Sequence, residues 1–344
     1  MNAVRIHEYG DAGRLRYERA PDPEVRSEED VVVRLRAASL NPFDLRVCRG
    51  AFGPGVTLPL IPGADGAGIV VATGPRAGGI RVGDPVCLYP ASGCGCCEFC
   101  AAEREHLCPG LHMLGRDENG TFAEYVRAPA RNCFRLPQGL SFEEGAALPL
   151  AYATAWRMLV ADAGLKPGES VLVAAVDGGL AAAAVQLARH LGARVFVASR
   201  SPAVRRHAEE AGAEHAIDEE AGDVPAVVRE LTGKRGVDVA VDCAGGESWR
   251  RSLASLAKGG RLVTCGAAEP SPRTDLRRVF WNHLTVSGSA LGSRGDFCRA
   301  LAFLEATGAR PPIAERYALK EAARARSRLE AGDLWGKIVL TVVH

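Results

Sequence analysis

Residues 94–108 read CGCCEFCAAEREHLC, and their cysteines carry the clearest chemistry in the chain. Cys94, Cys97, Cys100 and Cys108 follow the pattern C-x2-C-x2-C-x7-C. Four thiolates from one short loop can close a tetrahedral zinc site with no open position, which makes such a site structural. Cys96 is a fifth thiol that could compete for a ligand place. The chain has 11 cysteines in all. Disulfides are rare in a reducing compartment, so clustering of this kind points to metal. Free surface thiols would set reactive groups side by side for no evident purpose. An iron–sulfur cluster is less well supported, because no partner redox feature accompanies the cysteines.

A second constellation lies at 171–200, VLVAAVDGGLAAAAVQLARHLGARVFVASR. Val171 to Val173 form a short apolar run of the kind found in strands buried on both faces. Ala174 to Gly179 turn the chain. Leu180 to Leu191 carry apolar residues at helical spacing, Gly192 stops the helix, and Val195 to Ala198 predict the next strand. Strand, tight glycine turn, helix and strand make the βαβ unit that binds a dinucleotide. Gly178 and Gly179 let the backbone approach a pyrophosphate, and the helix N-terminus offers free N–H groups to it. Ala181 lets helix and strand pack closely. An ordinary βαβ unit that binds something else is the plainer alternative. Asp177 argues against a pyrophosphate unless its carboxylate points away.

The end of the second strand selects between nicotinamide cofactors. A carboxylate there would hydrogen-bond the ribose 2′-hydroxyl of NAD. This strand ends Ala198-Ser199-Arg200 instead. A hydroxyl with a guanidinium suits a 2′-phosphate, since arginine grips phosphate oxygens with a bidentate fork. No nearby carboxylate is expected to repel that phosphate, so the cofactor expected is NADPH. Arg205 and Arg206 fit solvated surface charges better than Arg200 does.

These groups need elements to position them. A chain of 344 residues is long enough for two domains with sizeable cores. Its 42 basic and 41 acidic residues leave a net charge of +1, so nothing suggests nucleic acid or an anionic membrane. No apolar signal run opens the sequence and no apolar stretch is long enough to span a bilayer, so a cytoplasmic protein is expected. No internal repeat stands out. Residues 1 to about 135 are β-rich, with strands expected at Val31 to Leu35, Ala67 to Ala72, Pro85 to Tyr89 and Phe122 to Val126. Ser141 with Glu144 is a capping box that starts a helix, Pro149 interrupts it, and a second helix runs to about Val160. Further βα alternation follows. Strands are expected at Val237 to Asp242, Arg261 to Cys265 and Leu284 to Gly288, and helices at Trp249 to Leu256 and Phe297 to Thr307. Ile313 to Leu319 and Lys337 to Val342 are expected as returning strands.

The chain resembles the medium-chain dehydrogenase/reductase superfamily, which holds the zinc alcohol dehydrogenases and the quinone reductases. The resemblance runs over essentially the whole length. It rests on ASLNPFD at 38–44, PGADGAG at 62–68, the cysteine loop, Ala146 to Trp156, the glycine turn, GVDVAVDCAGG, GGRLVTCG and the closing GKIVL. It implies an α/β fold, a Rossmann doubly wound parallel sheet plus a GroES-like β-rich domain. The implied domains are 1–140 with the zinc lobe at 94–108, then a dinucleotide-binding domain at 141–290, then a return to the first domain at 291–344. It also implies cofactor contacts. Thr154 would stand beside the nicotinamide, with Cys265, Gly266, Ser289 and Leu291 along the same side. Gly178, Gly179 and Leu180 would meet the pyrophosphate, Ser199 and Arg200 the adenosine. Lys337 matches a basic position that reaches the pyrophosphate.

By the same resemblance, the three ligands of a catalytic zinc would fall on Asn41, Ala64 and Leu150, none a good zinc ligand. A different set, such as Cys48 with Asp65 and a histidine, would be needed. The Asn-Pro-x-Asp pattern instead resembles the zinc-free quinone and enone reductases. Without a Lewis acid, taking a hydride from an alcohol is hard at neutral pH. Giving one to a quinone or an α,β-unsaturated carbonyl is easier, because the conjugated carbonyl accepts the charge. Asn41 is the first candidate to hydrogen-bond that oxyanion. Asp44, Arg46, Asp65 and Tyr152 are weaker candidates. Asp44 and Asp65 serve equally well as turn-fixing groups, and Tyr152 as a packed aromatic. The expected assembly is a homodimer, paired through the sheet edge near Leu284 to Gly288. Two other classes stay open: a zinc-dependent alcohol or aldehyde dehydrogenase with atypical ligands, and a non-enzymatic NADPH-binding redox sensor.

Overall fold

The computed structural model describes residues 1–174, 178–267 and 273–343. The chain forms two compact units. The first takes Met1–Leu150, Ser293–Gly332 and the strand from Lys337 onward, and the second takes Ala151–Gly292 with Asp333–Gly336.

The second unit is built on six parallel strands in the spatial order His215–Asp218, Arg194–Ser199, Ser170–Ala174, Val237–Asp242, Leu256–Thr264 and Thr285–Gly288. By sequence this is 3-2-1-4-5-6, the doubly wound arrangement whose order reverses between Ser170–Ala174 and Val237–Asp242. All five residues of Ser170–Ala174 are buried, as a central parallel strand requires. Each valine or leucine so buried contributes roughly 1.5–3 kcal/mol. Helix Gly178–His190 turns Ala181, Ala182, Ala183, Ala184, Val185, Leu187 and Ala188 inward. Gly178 has φ +70, a left-handed conformation that side chains resist, and it opens this helix. The turn residues 175–177, Asp177 among them, lie outside the described residues.

The first unit holds a seven-stranded, mostly antiparallel sheet centred on Asp30–Ser39. That strand pairs with Asp65–Thr73 on one side and Lys337–Thr341 on the other, both antiparallel. Ser39 faces Asp65 across one seam and Val339 across the other, which brings residues far apart in sequence to one end of the strand. Gly68 is required here: a Cβ on it would stand 2.1 Å from the Arg34 carbonyl oxygen. The expected helix at Ser141 is present as Phe142–Ala147, capped by Ser141 and Glu144. It packs on strands Asp30–Ser39 and Asp65–Thr73, so it belongs to the first unit although the resemblance began the second domain at 141. The strand expected at Phe122 to Val126 runs instead at Tyr125–Pro129, paired with Asp30–Arg34. The Phe122 carbonyl accepts from the N–H of Val4 instead, and Ala123 bridges Ala3. No described helix is long and apolar enough to cross a membrane.

Candidate functional site

Three groups of side chains carry chemistry. In the cysteine lobe, the sulfurs of Cys94, Cys97, Cys100 and Cys108 all lie within 4.8 Å of one another. Cys94 and Cys100 are 4.0 Å apart, and Cys97 and Cys108 3.7 Å apart. A tetrahedron with metal–sulfur bonds of about 2.3 Å has edges of about 3.8 Å, so the set is close to the size a zinc site needs. The N–H groups of Cys96 and Cys97 point at the Cys94 sulfur and lower its thiol to about 6. Cys96 is exposed, 3.7 Å from Cys94, at the margin of the set. Among the described residues this is the one cluster able to hold a metal ion.

The second group surrounds Asp65, at the end of the central strand of the first unit. Asn41 caps helix Pro42–Cys48, with Pro42 in the first position where its missing N–H costs nothing. Asp44 reaches back to accept from the N–H of Asn41 (2.7 Å) and from that of Ala64 (3.1 Å). Its role is therefore the turn-fixing one, and it tethers two motif loops. Burial pushes its carboxyl up to about 7, opposed by the Asn41 N–H and reinforced by the charge of Asp65. Asp65 is fully buried. Its Oδ1 accepts from the N–H of Leu150 (3.0 Å) and its Oδ2 from Asn41 Nδ2 (2.9 Å). The same Oδ2 accepts from Lys337 Nζ at 3.1 Å, and that ammonium also donates to Asn41 Oδ1 at 2.5 Å.

This arrangement changes two expectations. Asn41 does not present a free amide: one N–H and its oxygen are committed to Asp65 and Lys337. Lys337 was expected at a pyrophosphate, yet its ammonium is 4 % exposed and bound within the first unit. An ammonium has three N–H donors, and no described residue accepts the third. Asn41, Ala64 and Leu150 thus converge on two carboxylates and one internal cation. Cys48 is remote from metal chemistry, packed with Ile6, Val47, Val56 and Leu60, its thiol pushed up to about 12 by burial. Arg46 lies over the ring of Phe52.

The third group lies at the carboxyl ends of the parallel strands, where ligands bind in doubly wound sheets. The N–H of Gly178 is not free: it donates to the Leu334 carbonyl at 2.6 Å. Gly179 and Leu180 follow in the first helical turn, whose N–H groups lack intrahelical acceptors. Thr154 and Leu291 are buried. Ser289 is 5 % exposed, and its hydroxyl has no hydrogen-bond partner among the described residues. Cys265 and Gly266 follow strand Leu256–Thr264, with the Gly266 carbonyl accepting from Thr264 Oγ1. Tyr152 does not offer a proton: its buried hydroxyl donates to Gln186 Oε1 at 2.5 Å.

At the second strand's end, Arg200 is exposed with no side-chain partner among the described residues, and Ser199 Oγ accepts from the N–H of Ser201. A carboxylate does stand nearby, against expectation. Asp218 pairs in register with Ser199 on the adjacent strand. Arg205 neutralises it at 2.7 Å while donating to the carbonyls of Ser199 and Arg200. Parallel pairing of the strand ends, not sequence adjacency, brings that acid in.

Sequence reasoning missed Asp242 and Cys243. Asp242 is buried where the strand order reverses, accepting from the N–H groups of Ala244 and Gly245 and from the hydroxyls of Ser248 and Ser252. An acid closing an apolar strand before a glycine pair was the available signal.

Known proteins resemble the chain over its whole length. Residues 27–138 match the alcohol dehydrogenase GroES-like domain family and residues 179–306 the zinc-binding dehydrogenase family. An alcohol dehydrogenase of Geobacillus stearothermophilus is 32% identical over 342 residues, 99% of this chain and 98% of that protein. A quinone oxidoreductase of Homo sapiens is 26% identical over 346 residues, 99% and 97% of the two chains. The crystal structure of an NAD-dependent alcohol dehydrogenase superposes with a TM-score of 0.96 at 38% identity, covering 100% of both chains.

Proposed function

The chain belongs to the medium-chain dehydrogenase/reductase superfamily, and from that premise we propose that it is an NADPH-dependent reductase of quinones or α,β-unsaturated carbonyls that works without a catalytic zinc. One observation carries the reading. The Lys337 ammonium stands between Asn41 and Asp65 with one N–H unassigned, in the place where relatives with a catalytic metal would need ligands. The side chains of Asn41, Ala64 and Leu150 do not supply the ligands a dication needs.

When bound, NADPH supplies the hydride. The chain's part is to hold the acceptor and the charge it develops. Lys337 offers its third N–H to the carbonyl oxygen, where negative charge grows as hydride arrives. A donor fixed before the reaction and kept from water stabilises that charge far better than solvent does. Asn41 and Asp65 orient the ammonium, and Asp44 fixes the loop that carries Asn41. Asn41, Asp44 and Lys337 are thus one assembly, with Asn41 and Asp44 in positioning roles. Tyr152 packs and has no part in it.

Ser199 and Arg200 support the choice of NADPH, with Arg205 screening Asp218. Ser289, Thr154, Leu291, Cys265 and Gly266 would line the nicotinamide side, and Gly179 and Leu180 the pyrophosphate. The cysteine lobe would hold one structural zinc. Strand Thr285–Gly288 is a sheet edge, and Val286, Leu276, Phe280 and Trp281 beside it are 41 to 72% exposed, which supports a homodimer closed through this edge. The reducing cytoplasm, where free thiols persist, is the setting this reading expects. The relatives named alcohol dehydrogenases favour a second reading, reversible carbonyl and alcohol interconversion. NADPH oxidation against a panel of quinones, enones, aldehydes and ketones tests the proposal. Turnover should be fastest with quinones or enones, and a preference for simple aldehydes and ketones would sink it.

A further inference from the structure

Strands Val237–Asp242 and Leu256–Thr264 are parallel neighbours whose last residues, Asp242 and Thr264, pair in register. Each strand is followed at once by a cysteine. Cys243 and Cys265 therefore occupy the next row, and their sulfurs stand 2.8 Å apart. The thiols of the cysteine lobe approach only to 3.7–4.0 Å. Neighbouring strands run about 4.7–4.9 Å apart, inside the Cα separation that a disulfide spans. The two sulfurs can therefore be joined with little backbone movement. Both residues are partly exposed, whereas Cys87 and Cys133, also on paired strands, are buried.

The mechanism above gives neither sulfur a chemical role, although Cys265 would line the nicotinamide side. Yet they sit at the carboxyl ends of the fourth and fifth strands in the row, beside the point where strand order reverses. Gly245 and Gly246 follow one and Gly266 the other. A bond between the sulfurs would tie together two loops that border the crevice where a doubly wound sheet takes its dinucleotide.

We propose that Cys243 and Cys265 are a redox modification site: a hydroperoxide converts them to a reversible disulfide, and this disulfide and the nicotinamide dinucleotide exclude one another. The exclusion rests on the reading that the dinucleotide binds at these strand ends; the disulfide does not. The close contact with Cys265 raises the Cys243 thiol, so Cys265 is taken as the attacking sulfur. As the thiolate, the nucleophilic form of any thiol, its sulfur attacks a peroxide oxygen. An S–O bond forms, the O–O bond breaks, and the leaving hydroxide takes a proton to become water. Cys243 then attacks the sulfenic sulfur. The S–S bond forms, the S–O bond breaks, and hydroxide leaves as water with the Cys243 proton. Two thiols lose two electrons and hydrogen peroxide becomes two waters. A dithiol such as dithiothreitol reverses the change by exchange.

The test treats the zinc-loaded full chain with hydrogen peroxide, with and without saturating NADPH, and maps tryptic peptides by mass spectrometry. Peptides 236–250 and 262–273 carry the two cysteines. They should appear linked, at least tenfold less so when NADPH is present, and separate after dithiothreitol. Zinc retained by the treated protein shows that the lobe is intact. Oxidised protein should bind NADPH at least tenfold more weakly and recover on reduction. Cys243→Ser and Cys243→Ala should each keep, after peroxide, the NADPH affinity they had before it. Absence of the linked peptide, with either cysteine converted singly to sulfinic acid, overturns the proposal while leaving the cofactor reading intact. A linked peptide that forms equally with NADPH bound overturns the exclusion. Protein that binds no nicotinamide dinucleotide before treatment overturns the cofactor reading, and the linked peptide still decides the disulfide.

Discussion

Lys337 Nζ lies 3.1 Å from Asp65 Oδ2, with the two side chains 4 % and 0 % exposed, so a cation and an anion are held together out of water. Asn41 completes the set by accepting from the ammonium and donating to the carboxylate. Breaking a buried pair by removing one partner costs about 3–5 kcal/mol, because the other charge is left uncompensated. Lys337→Met should therefore lose stability of that order and lose at least tenfold in turnover, while the NADPH dissociation constant moves less than threefold. Adding Asp65→Asn should restore much of the stability and none of the turnover. A large loss of NADPH affinity with unchanged turnover would return Lys337 to the pyrophosphate.

Asp44 makes the second prediction, through pH. Its folded-state value of about 7 lies above the ordinary carboxylate value of about 3.9, so the folded chain keeps a proton that the unfolded chain has released. Its contribution makes stability fall as pH rises from about 4 to about 7, and the loss is complete above that. Asp65 and Lys337, the charges facing it, pull in opposite directions. Urea unfolding of the wild type and Asp44→Asn at pH 5 and pH 8 isolates the effect. The stability advantage of the wild type should be smaller at pH 8, and an equal or larger advantage there would contradict the assignment.

The cysteine lobe separates ligand from bystander. Cys100→Ser should lower zinc content below one per chain and lower the melting temperature, since metal binding contributes to folding. Cys96→Ser should leave both as they are. Metal analysis with thermal unfolding decides it, and comparable zinc loss from the two variants would mean that Cys96 is a ligand.

Cofactor choice rests on Arg200. A charged hydrogen bond is worth about 1.5–3 kcal/mol, or roughly one to two decades in affinity. Arg200→Ala should weaken NADPH binding by that factor and leave NADH within about twofold, as read by fluorescence titration. Equal weakening of both, or tighter binding of NADH by the wild type, would favour an NAD enzyme.

Local pattern made much of this fold legible. The run Val171 to Val173, the alanine-rich helix after it and the Ser141–Glu144 cap follow from periodicity and capping, which act over a few residues. The four-cysteine spacing is local too. The contact of Lys337 with Asn41 was not legible because the two lie 296 residues apart and meet only through the pairing of Val339 with Ser39. Asp218 and Cys243 were overlooked for the same reason, since each acquires its partner by lateral strand order. Tyr152 was overvalued because nothing in the sequence ties its hydroxyl to Gln186, 34 residues on and on another helix.

The central claim is quinone or enone reduction without a catalytic metal, and zinc stoichiometry on the active protein tests it most directly. Metal content and NADPH-dependent turnover should be measured on one preparation. The account predicts full turnover at one zinc per chain, with no gain on adding zinc. Two zincs per chain, or turnover that rises with the second, would contradict it.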